Sequence, residues 1–89
     1  MSDKEYLIQI TSKAQKDFRK LDPKVQKAVS KAIYALEKNR FPQQFKPLIG
    51  YEIAQFRLRV GDYRVLYDVY DEDKVVLILR VGHRKDFYK

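Results

Sequence analysis

The sequence predicts an α+β fold in which an N-terminal strand and a two-helix antiparallel hairpin precede a three-strand antiparallel meander, with the helices packed on one sheet face. The main observation is that the spacing of apolar residues changes along the chain. Apolar residues alternate in residues 6–10 and 54–69 but recur every three or four positions in residues 14–36. Turn-forming residues separate these segments. A chain of 89 residues is expected to build one core, so we interpret residues 1–89 as a single domain.

The N-terminal strand is predicted from the segment YLIQI at residues 6–10, whose alternation indicates burial on at least one face. Residues Ser12 to Gln15 have the pattern of a capping box. Ala14, Phe18 and Leu21 then lie at i, i+4 and i+7, on one stripe of a helix. We therefore expect a short first helix over residues 13–21.

The second helix has a strong start signal at Asp22-Pro23. Asp can cap free amide groups, and Pro at the first helical position has no amide to leave unpaired. Apolar residues then recur at i, i+3, i+4, i+7, i+8 and i+11: Val25, Ala28, Val29, Ala32, Ile33 and Leu36. This stripe predicts an amphipathic helix that runs to about Asn39 and forms an antiparallel hairpin with the first helix.

Residues 40–50, RFPQQFKPLIG, contain two prolines and a glycine, which interrupt any helix and predict a connector. Four of its side chains are too apolar for a free linker: Phe41, Phe45, Leu48 and Ile49. The connector is therefore expected to be pinned against the core.

Three strands are predicted in the second half of the chain, over residues 51–60, 63–70 and 74–81. Gly61-Asp62 fits a two-residue hairpin turn of type II′ or type I′, and the acidic run at residues 71–73 forms the second turn. With Gly61 and Asp62 as the loop, four pairs share an apolar face: Val60 with Tyr63, Leu58 with Val65, Phe56 with Tyr67, and Ala54 with Val69. That face is expected to receive the helices.

The opposite face of the same hairpin is cationic. Its predicted pairs are Arg59 with Arg64, Arg57 with Leu66, and Gln55 with Asp68. Like charges directly opposed on a sheet are destabilising, and an anionic ligand would relieve that repulsion. Arg also presents a planar fork that matches phosphate oxygens. The alternative interpretation is that the arginines are solvated surface charges, but three of them in one patch favour a function.

The overall charge points to the same class of partner. Nineteen Lys and Arg against twelve Asp and Glu give a net charge of +7, the electrostatic footprint of a domain that binds nucleic acid. The chain has no cysteine, and its acidic run is most simply a solvated turn, so neither a metal nor a cofactor is expected. No export signal or membrane-spanning stretch is visible, so we expect a soluble cytoplasmic protein without membrane contact.

The tail after the last predicted strand, GHRKDFYK, is the second informative feature. It carries His83, the one histidine of the chain, next to Arg84 and Lys85. Histidine titrates near neutrality, and an aromatic side chain such as Tyr88 can stack on an unpaired base. A lone histidine can equally be structural, so both interpretations of His83 stay open here.

The order of elements and the strings LRVGDYRVLYDV and LRVGHRKDFY resemble the RelE/ParE superfamily of bacterial and archaeal toxins, with the RelE side closer. The resemblance implies a messenger RNA endonuclease that acts in the ribosomal A site and is held inactive by an antitoxin that wraps around it. By position, Arg64 matches the family's phosphate-binding arginine, Arg84 the arginine after the last strand, and Tyr88 the terminal tyrosine.

The resemblance also shows a departure, because Gln55 and Arg57 stand where the best-known pattern has two lysines. An arginine stabilises charge but does not accept a proton, so His83 is the candidate general base. The predicted catalytic residues are Arg57, Arg64, His83, Arg84 and Tyr88, and the predicted RNA-binding residues are Gln55, Arg59 and Lys85. The alternatives are a ParE-like inhibitor of DNA gyrase without nuclease activity and a non-catalytic RNA-binding module.

Overall fold

The computed structural model describes residues 5–50 and 53–87 of the chain. One sheet of five strands, in the order β1-β5-β4-β3-β2, carries helices on one face. The elements are β1 (Leu7–Ile10), α1 (Ser12–Arg19), α2 (Pro23–Ala35), β2 (Phe45–Pro47), β3 (Phe56–Val60), β4 (Tyr63–Tyr70), β5 (Val75–His83) and α3 (Arg84–Phe87). This architecture confirms the predicted α+β class and adds two short elements, β2 and α3. No described helix is long and apolar enough to cross a membrane.

The first strand lies at one edge of the sheet and pairs with β5 in parallel, with Leu7 across from Val75 and Ile10 across from Ile78. Its alternation is the predicted one, since Ile8 and Ile10 pack against the core while Leu7 is exposed. The parallel pairing brings the start of α1 to the middle of β5. The N-terminal strand of the prediction is thus confirmed, one residue shorter at its start.

Helix α1 is capped by Thr11 and not by Ser12, so the predicted capping box is wrong by one residue. The Thr11 hydroxyl accepts from the Ala14 N–H at 3.0 Å and donates to the Leu79 carbonyl at 3.2 Å. Gln15 donates its side-chain amide to the Ile10 carbonyl. Thr11 takes this role because its own N–H still bonds to β5, at the Ile78 carbonyl. The residue that leaves the sheet is therefore the residue that starts the helix.

Helix α2 begins at Pro23 as predicted, with Asp22 as its capping residue, although the Asp22 side chain makes no capping hydrogen bond. The helix ends at Ala35, and residues 36–38 are turns, so the predicted end near Asn39 is too late. The predicted stripe supplies the core with Val29, Ile33 and Leu36. They pack with the apolar face of β3, β4 and β5 in one cluster.

The predicted connector contains strand β2, which pairs antiparallel with β3 through Phe45 and Leu58, Lys46 and Arg57, and Pro47 and Phe56. The prediction of a strand-free connector is therefore wrong. Three residues are too few to show a period, and Pro47 is tolerated because β2 is an edge strand. The pinning is confirmed for Phe45, whose ring lies 5.2 Å from Phe41 and 6.0 Å from Phe56, but Ile49 is 95% exposed.

The meander has the predicted register over Phe56 to Val60. Val60 pairs with Tyr63, Leu58 with Val65, and Phe56 with Tyr67. Strand β3 begins only at Phe56, so the expected Ala54 and Val69 pair falls outside it, and residues 51 and 52 lie outside the described part of the chain. Gly61 has a φ of +61° and Asp62 has no positive φ, which selects the type II′ turn over type I′.

Strand β5 runs to His83, two residues beyond its predicted end, and the tail then forms α3. The ladder between β4 and β5 contains a bulge, since Leu66 pairs with Arg80 but the next residue, Tyr67, pairs with Ile78. The bulge leaves Leu79 without a partner in the ladder and changes which face each later residue of β5 occupies.

Tyr67 joins the centre of the sheet to the segment after α2. Its side chain is fully buried, and its hydroxyl donates to the Arg40 carbonyl at 2.7 Å. The variant Tyr67→Phe leaves that carbonyl unpaired and is expected to lower the free energy of unfolding by about 1 to 2 kcal/mol in urea titrations. Tyr70→Phe is the matched control, since Tyr70 is 42% exposed and its hydroxyl donates to Asp68 at the surface.

The same side chain predicts an alkaline effect on stability. Burial raises the pKa of Tyr67 well above its ordinary value, so the unfolded chain releases this proton at a lower pH than the folded chain. The stability that Tyr67 contributes is thus present below about pH 10 and is lost as the pH rises further. The Tyr67→Phe variant should lose less stability over that range. An equal loss in both proteins would show that ionisation of Tyr67 is not the cause of the alkaline destabilisation.

Candidate nucleic-acid interface

The arginines of β3 and β4 lie on the sheet face opposite the helices. Leu58 on β3 and Val65 on β4 point into the core. Side chains alternate along a strand, so the residues next to them in each strand point to the opposite face. Arg59 is directly across from Arg64, as the sequence predicted. The structure therefore brings these side chains, together with Arg57, to one face of one hairpin, which we call the cationic face.

Arg64 is unusual on this face because it is only 7% exposed. Its Nη1 donates to the carbonyls of Gly61 and Tyr63, both at 3.0 Å. Its Nε is buried and has no hydrogen-bond partner among the described residues. Both partners are neutral carbonyls, so they orient the guanidinium without neutralising it. A buried charge held in this way has lost much of its hydration and is set to stabilise an incoming anion.

Lys46 is a member of the cationic face that sequence reasoning missed. It lies on β2 directly across from Arg57. A shallow groove of about 370 Å³ runs along this part of the sheet, lined by Gln43, Gln44, Phe45, Lys46, Arg57 and Arg59. The sequence offered no usable signal for Lys46, because its position depends on β2, which is too short to be recognised from periodicity.

Gln55 lies just before β3 and is engaged with β4. Its backbone N–H donates to Asp68 Oδ1 at 2.7 Å, and its side-chain oxygen accepts from the Val69 N–H at 3.2 Å. Asp68 also accepts from the Tyr70 hydroxyl. The predicted neighbourhood of Gln55 and Asp68 is therefore found, but the side-chain oxygen of Gln55 is occupied by the sheet.

The tail is anchored to the same turn as Arg64. The Arg84 N–H donates to the Asp62 carbonyl at 2.8 Å, while the Arg64 guanidinium holds the carbonyl of Gly61. Arg84 and Lys85 are both exposed at the start of α3. The turn thus holds the backbone of Arg84 and the side chain of Arg64 close to each other. Tyr88, the remaining predicted catalytic residue of the tail, lies outside the described residues.

His83 lies on the other side of the sheet from the arginines of β3 and β4, although it directly precedes Arg84 in the chain. It lies across from Tyr63, and the two rings meet edge to face with centroids 5.2 Å apart, on the side of the sheet that carries the helices. Its Nδ1 accepts from the Lys85 N–H at 3.2 Å. A neutral histidine whose Nδ1 accepts carries its proton on Nε2, so in this arrangement Nε2 donates and does not accept.

The acidic residues form no recognisable ion site in residues 5–50 and 53–87, where no group of three His, Cys, Asp or Glu side chains is placed to hold a metal ion. In the predicted acidic turn, Asp71 accepts a hydrogen bond of 2.7 Å from the Tyr6 hydroxyl. Asp71 therefore has a structural partner, which links the β4–β5 turn to the start of β1.

The fold is that of a class of small toxins. A family model described as the ParE toxin of the type II toxin-antitoxin system, parDE, matches residues 8–88. The Toxin RelG of Mycobacterium tuberculosis is 38% identical over 85 residues, which cover 94% of this chain and 97% of that protein. The chain belongs to the RelE/ParE superfamily and is a RelE-type toxin of a toxin-antitoxin system.

Two solved structures are similar over nearly the whole chain. The toxin-antitoxin complex RelBE2 from Mycobacterium tuberculosis matches with a TM-score of 0.79 and 36% identity, covering 90% of this chain and 99% of that one. The archaeal RelE-RelB complex from Pyrococcus horikoshii OT3 matches with a TM-score of 0.77 and 28% identity, covering 90% and 96%. Both support the RelE side of the superfamily that the sequence strings indicated.

Proposed function

We propose that the chain is an endoribonuclease that cleaves messenger RNA in the ribosomal A site. The observation that carries the proposal is Arg64, a buried guanidinium that is oriented by two carbonyls and left with an unpaired Nε. Within the described part of the chain its hydrogen-bond partners are two neutral carbonyls, so its charge is oriented but not neutralised by them. It lies among further cations on a face that suits an RNA backbone.

The proposed chemistry uses the substrate's own 2′-hydroxyl. Its oxygen attacks the adjacent phosphorus and the bond to the 5′-oxygen of the next nucleotide breaks. The departing 5′-oxygen takes a proton from water, so the products are a 2′,3′-cyclic phosphate and a free 5′-hydroxyl. Arg64 and Arg84 stabilise the negative charge that builds on the phosphate oxygens. Lys46, Arg57 and Arg59 hold the backbone on either side. This route requires no metal ion and no cofactor.

The remaining predicted site residues have supporting roles in this proposal. Lys85 adds to the positive charge of the tail, and Tyr88 stacks on a base next to the cut. Gln55 contributes its amide nitrogen to RNA contacts, since its oxygen is bound to Val69. With Nε2 of His83 holding a proton, we propose that the 2′-hydroxyl proton passes to water and that charge stabilisation by arginine dominates the rate.

His83→Ala tests this division of roles. Because His83 lies on the helix side of the sheet, the variant is expected to lower the cleavage rate by less than about 10-fold and to leave its pH profile unchanged. Proton transfer by a positioned side chain contributes about 100-fold or more. A loss of that size together with a shifted pH profile would instead give His83 the general-base role that the sequence indicated. His83→Gln serves as the control for volume and hydrogen bonding.

We also propose that a cognate antitoxin binds the chain in the cytoplasm. The similar structures from Mycobacterium tuberculosis and Pyrococcus horikoshii are complexes of that kind. The chain itself offers a small apolar groove between the helices and the sheet, lined by Ile10, Ala14, Phe18, Ser30, Ile33, Tyr34 and Val81. An amphipathic helix suits such a groove, and an acidic partner suits the net charge of +7.

The proposed function is tested with purified ribosomes that carry a defined messenger RNA. The chain should cut the message at the A-site codon, and bare RNA should be cut far more slowly. The same preparation is added to a DNA gyrase supercoiling assay. Inhibition of gyrase without any RNA cleavage would replace the nuclease with the ParE-like alternative, whereas RNA binding without either effect would leave a binding module.

A further inference from the structure

Both carboxylate oxygens of Asp17, on α1, accept hydrogen bonds from β5. The donors are Arg80 Nε at 2.8 Å, Arg80 Nη2 at 3.2 Å and the Val81 N–H at 3.0 Å. Burial alone would raise the pKa of Asp17, but the hydrogen bonds from Arg80 and Val81 outweigh it and hold the pKa below its ordinary value. The ion pair is therefore formed at neutral pH, with the Asp17 side chain 14% exposed.

From Arg80 the contacts continue into the tail. The guanidinium carbon of Arg80 lies 5.7 Å from the centroid of the Phe87 ring, within the range of a cation–π contact. The Phe87 ring packs directly against Gly82. A Cβ atom placed on residue 82 would be only 3.1 Å from Cζ of the ring. A side chain at residue 82 would require the Phe87 ring to move by a few tenths of an ångström. Arg80 and Gly82 together hold α3 against the end of the sheet.

Arg84 belongs to the same short helix as Phe87. Arg84 is the first residue of α3, and its N–H is anchored to Asp62. Gly82, on which Phe87 rests, is the register partner of Arg64. The ring that fixes α3 is thus directly across the strand pair from the buried arginine. Because Phe87 and Arg84 lie in one helical turn, a displaced Phe87 would loosen the segment that carries Arg84.

We propose that Asp17 is a positioning residue for Arg84. Through its ion pair with Arg80, and through Phe87, Asp17 seats α3 on Gly82 and so keeps the tail's arginine beside Arg64. The consequence for catalysis rests on the proposed RNA cleavage, whereas the seating of α3 does not.

The seating is tested with two variants that break the chain of contacts at different points. Asp17→Asn keeps an acceptor for the Val81 N–H but loses the charge that orients Arg80. Arg80→Met leaves the Asp17 and Val81 contact in place and removes only the guanidinium. Both are expected to increase hydrogen exchange at the Arg84 and Lys85 amides by about 10-fold or more, since local opening of the tail becomes easier.

Those two amides report on the tail because they are hydrogen-bonded to Asp62 and His83. Exchange in the core, at Val65 and Val76, should stay as in the unaltered chain. Asp22→Asn is the matched control, because Asp22 is exposed and its side chain makes no capping hydrogen bond. Unchanged exchange at Arg84 and Lys85 in both variants would overturn the proposal.

RNA cleavage rates show whether Asp17 positions Arg84 or has only a structural role. Asp17→Asn is expected to lower kcat by about 10-fold, as expected for a misplaced catalytic group, and to cause no further loss when Arg84 is already replaced by Ala. An equal loss in both backgrounds would mean that Asp17 does not act through Arg84, and the proposal would fail. If the unaltered chain does not cleave RNA, the proposed function fails, and amide exchange alone still decides whether Asp17 seats α3.

Discussion

A messenger RNA with a single 2′-deoxy nucleotide on the 5′ side of the cut is expected to resist cleavage completely at that position. In the proposed route the 2′-oxygen is the nucleophile, so its removal takes away a reactant and not merely a binding contact. The residues of the cationic face cannot replace it, because Arg and Lys at this site supply charge and hydrogen-bond donors only. The ribosome-dependent cleavage assay with the substituted message measures this directly.

The control is a message whose 2′-deoxy nucleotide lies one position away from the cut. It should be cleaved at close to the normal rate, since only binding contacts to one hydroxyl are lost. The product ends give a second, independent reading, with a 2′,3′-cyclic phosphate on one fragment and a 5′-hydroxyl on the other. Efficient cleavage at the deoxy position, or a 5′-phosphate on the product, would show that water and not the 2′-hydroxyl is the nucleophile.

Arg64→Ala is expected to slow cleavage by about 10²- to 10³-fold, or about 3 to 4 kcal/mol of transition-state stabilisation, the range observed when one preorganised donor is removed. The effect is large because Arg64 is buried and already oriented by Gly61 and Tyr63. No reorganisation of the side chain is then needed when charge develops on the phosphate. Single-turnover rates on programmed ribosomes are the appropriate measurement.

Two further variants make the Arg64 result specific. Arg59→Ala removes the same group from the residue directly across the strand pair, but Arg59 is exposed, so its loss should cost less than about 10-fold. Arg64→Lys keeps a charge but not the planar fork, and should recover only part of the rate. A free energy of unfolding measured for each variant separates lost folding from lost chemistry. Full activity in a folded Arg64→Ala protein would contradict the proposed site.

Much of the fold was predictable because its signals are local. The strand over residues 63–70 is found with its predicted bounds, and the register of its hairpin follows from the Gly61-Asp62 turn. Helix α2 starts at the Pro23 that marked it. The elements that were missed, β2 and α3, have three and four residues. Segments that short have no measurable period, so only their contacts with neighbouring strands or side chains define them.

The sequence by itself determined the charge of the chain and the presence of arginines on one face of the β3–β4 hairpin, because a strand's side chains alternate and a two-residue turn sets the pairing. Only the tertiary structure decided how deeply each charged side chain is buried and which residues lie beside it. Burial singled out Arg64, and pairing with β2 added Lys46 to the face. The continuation of β5 to His83 placed that ring beside Tyr63 and away from the arginines of β3 and β4. The physical reason is that burial, edge pairing and strand ends depend on residues distant in the chain, whose packing no local pattern records.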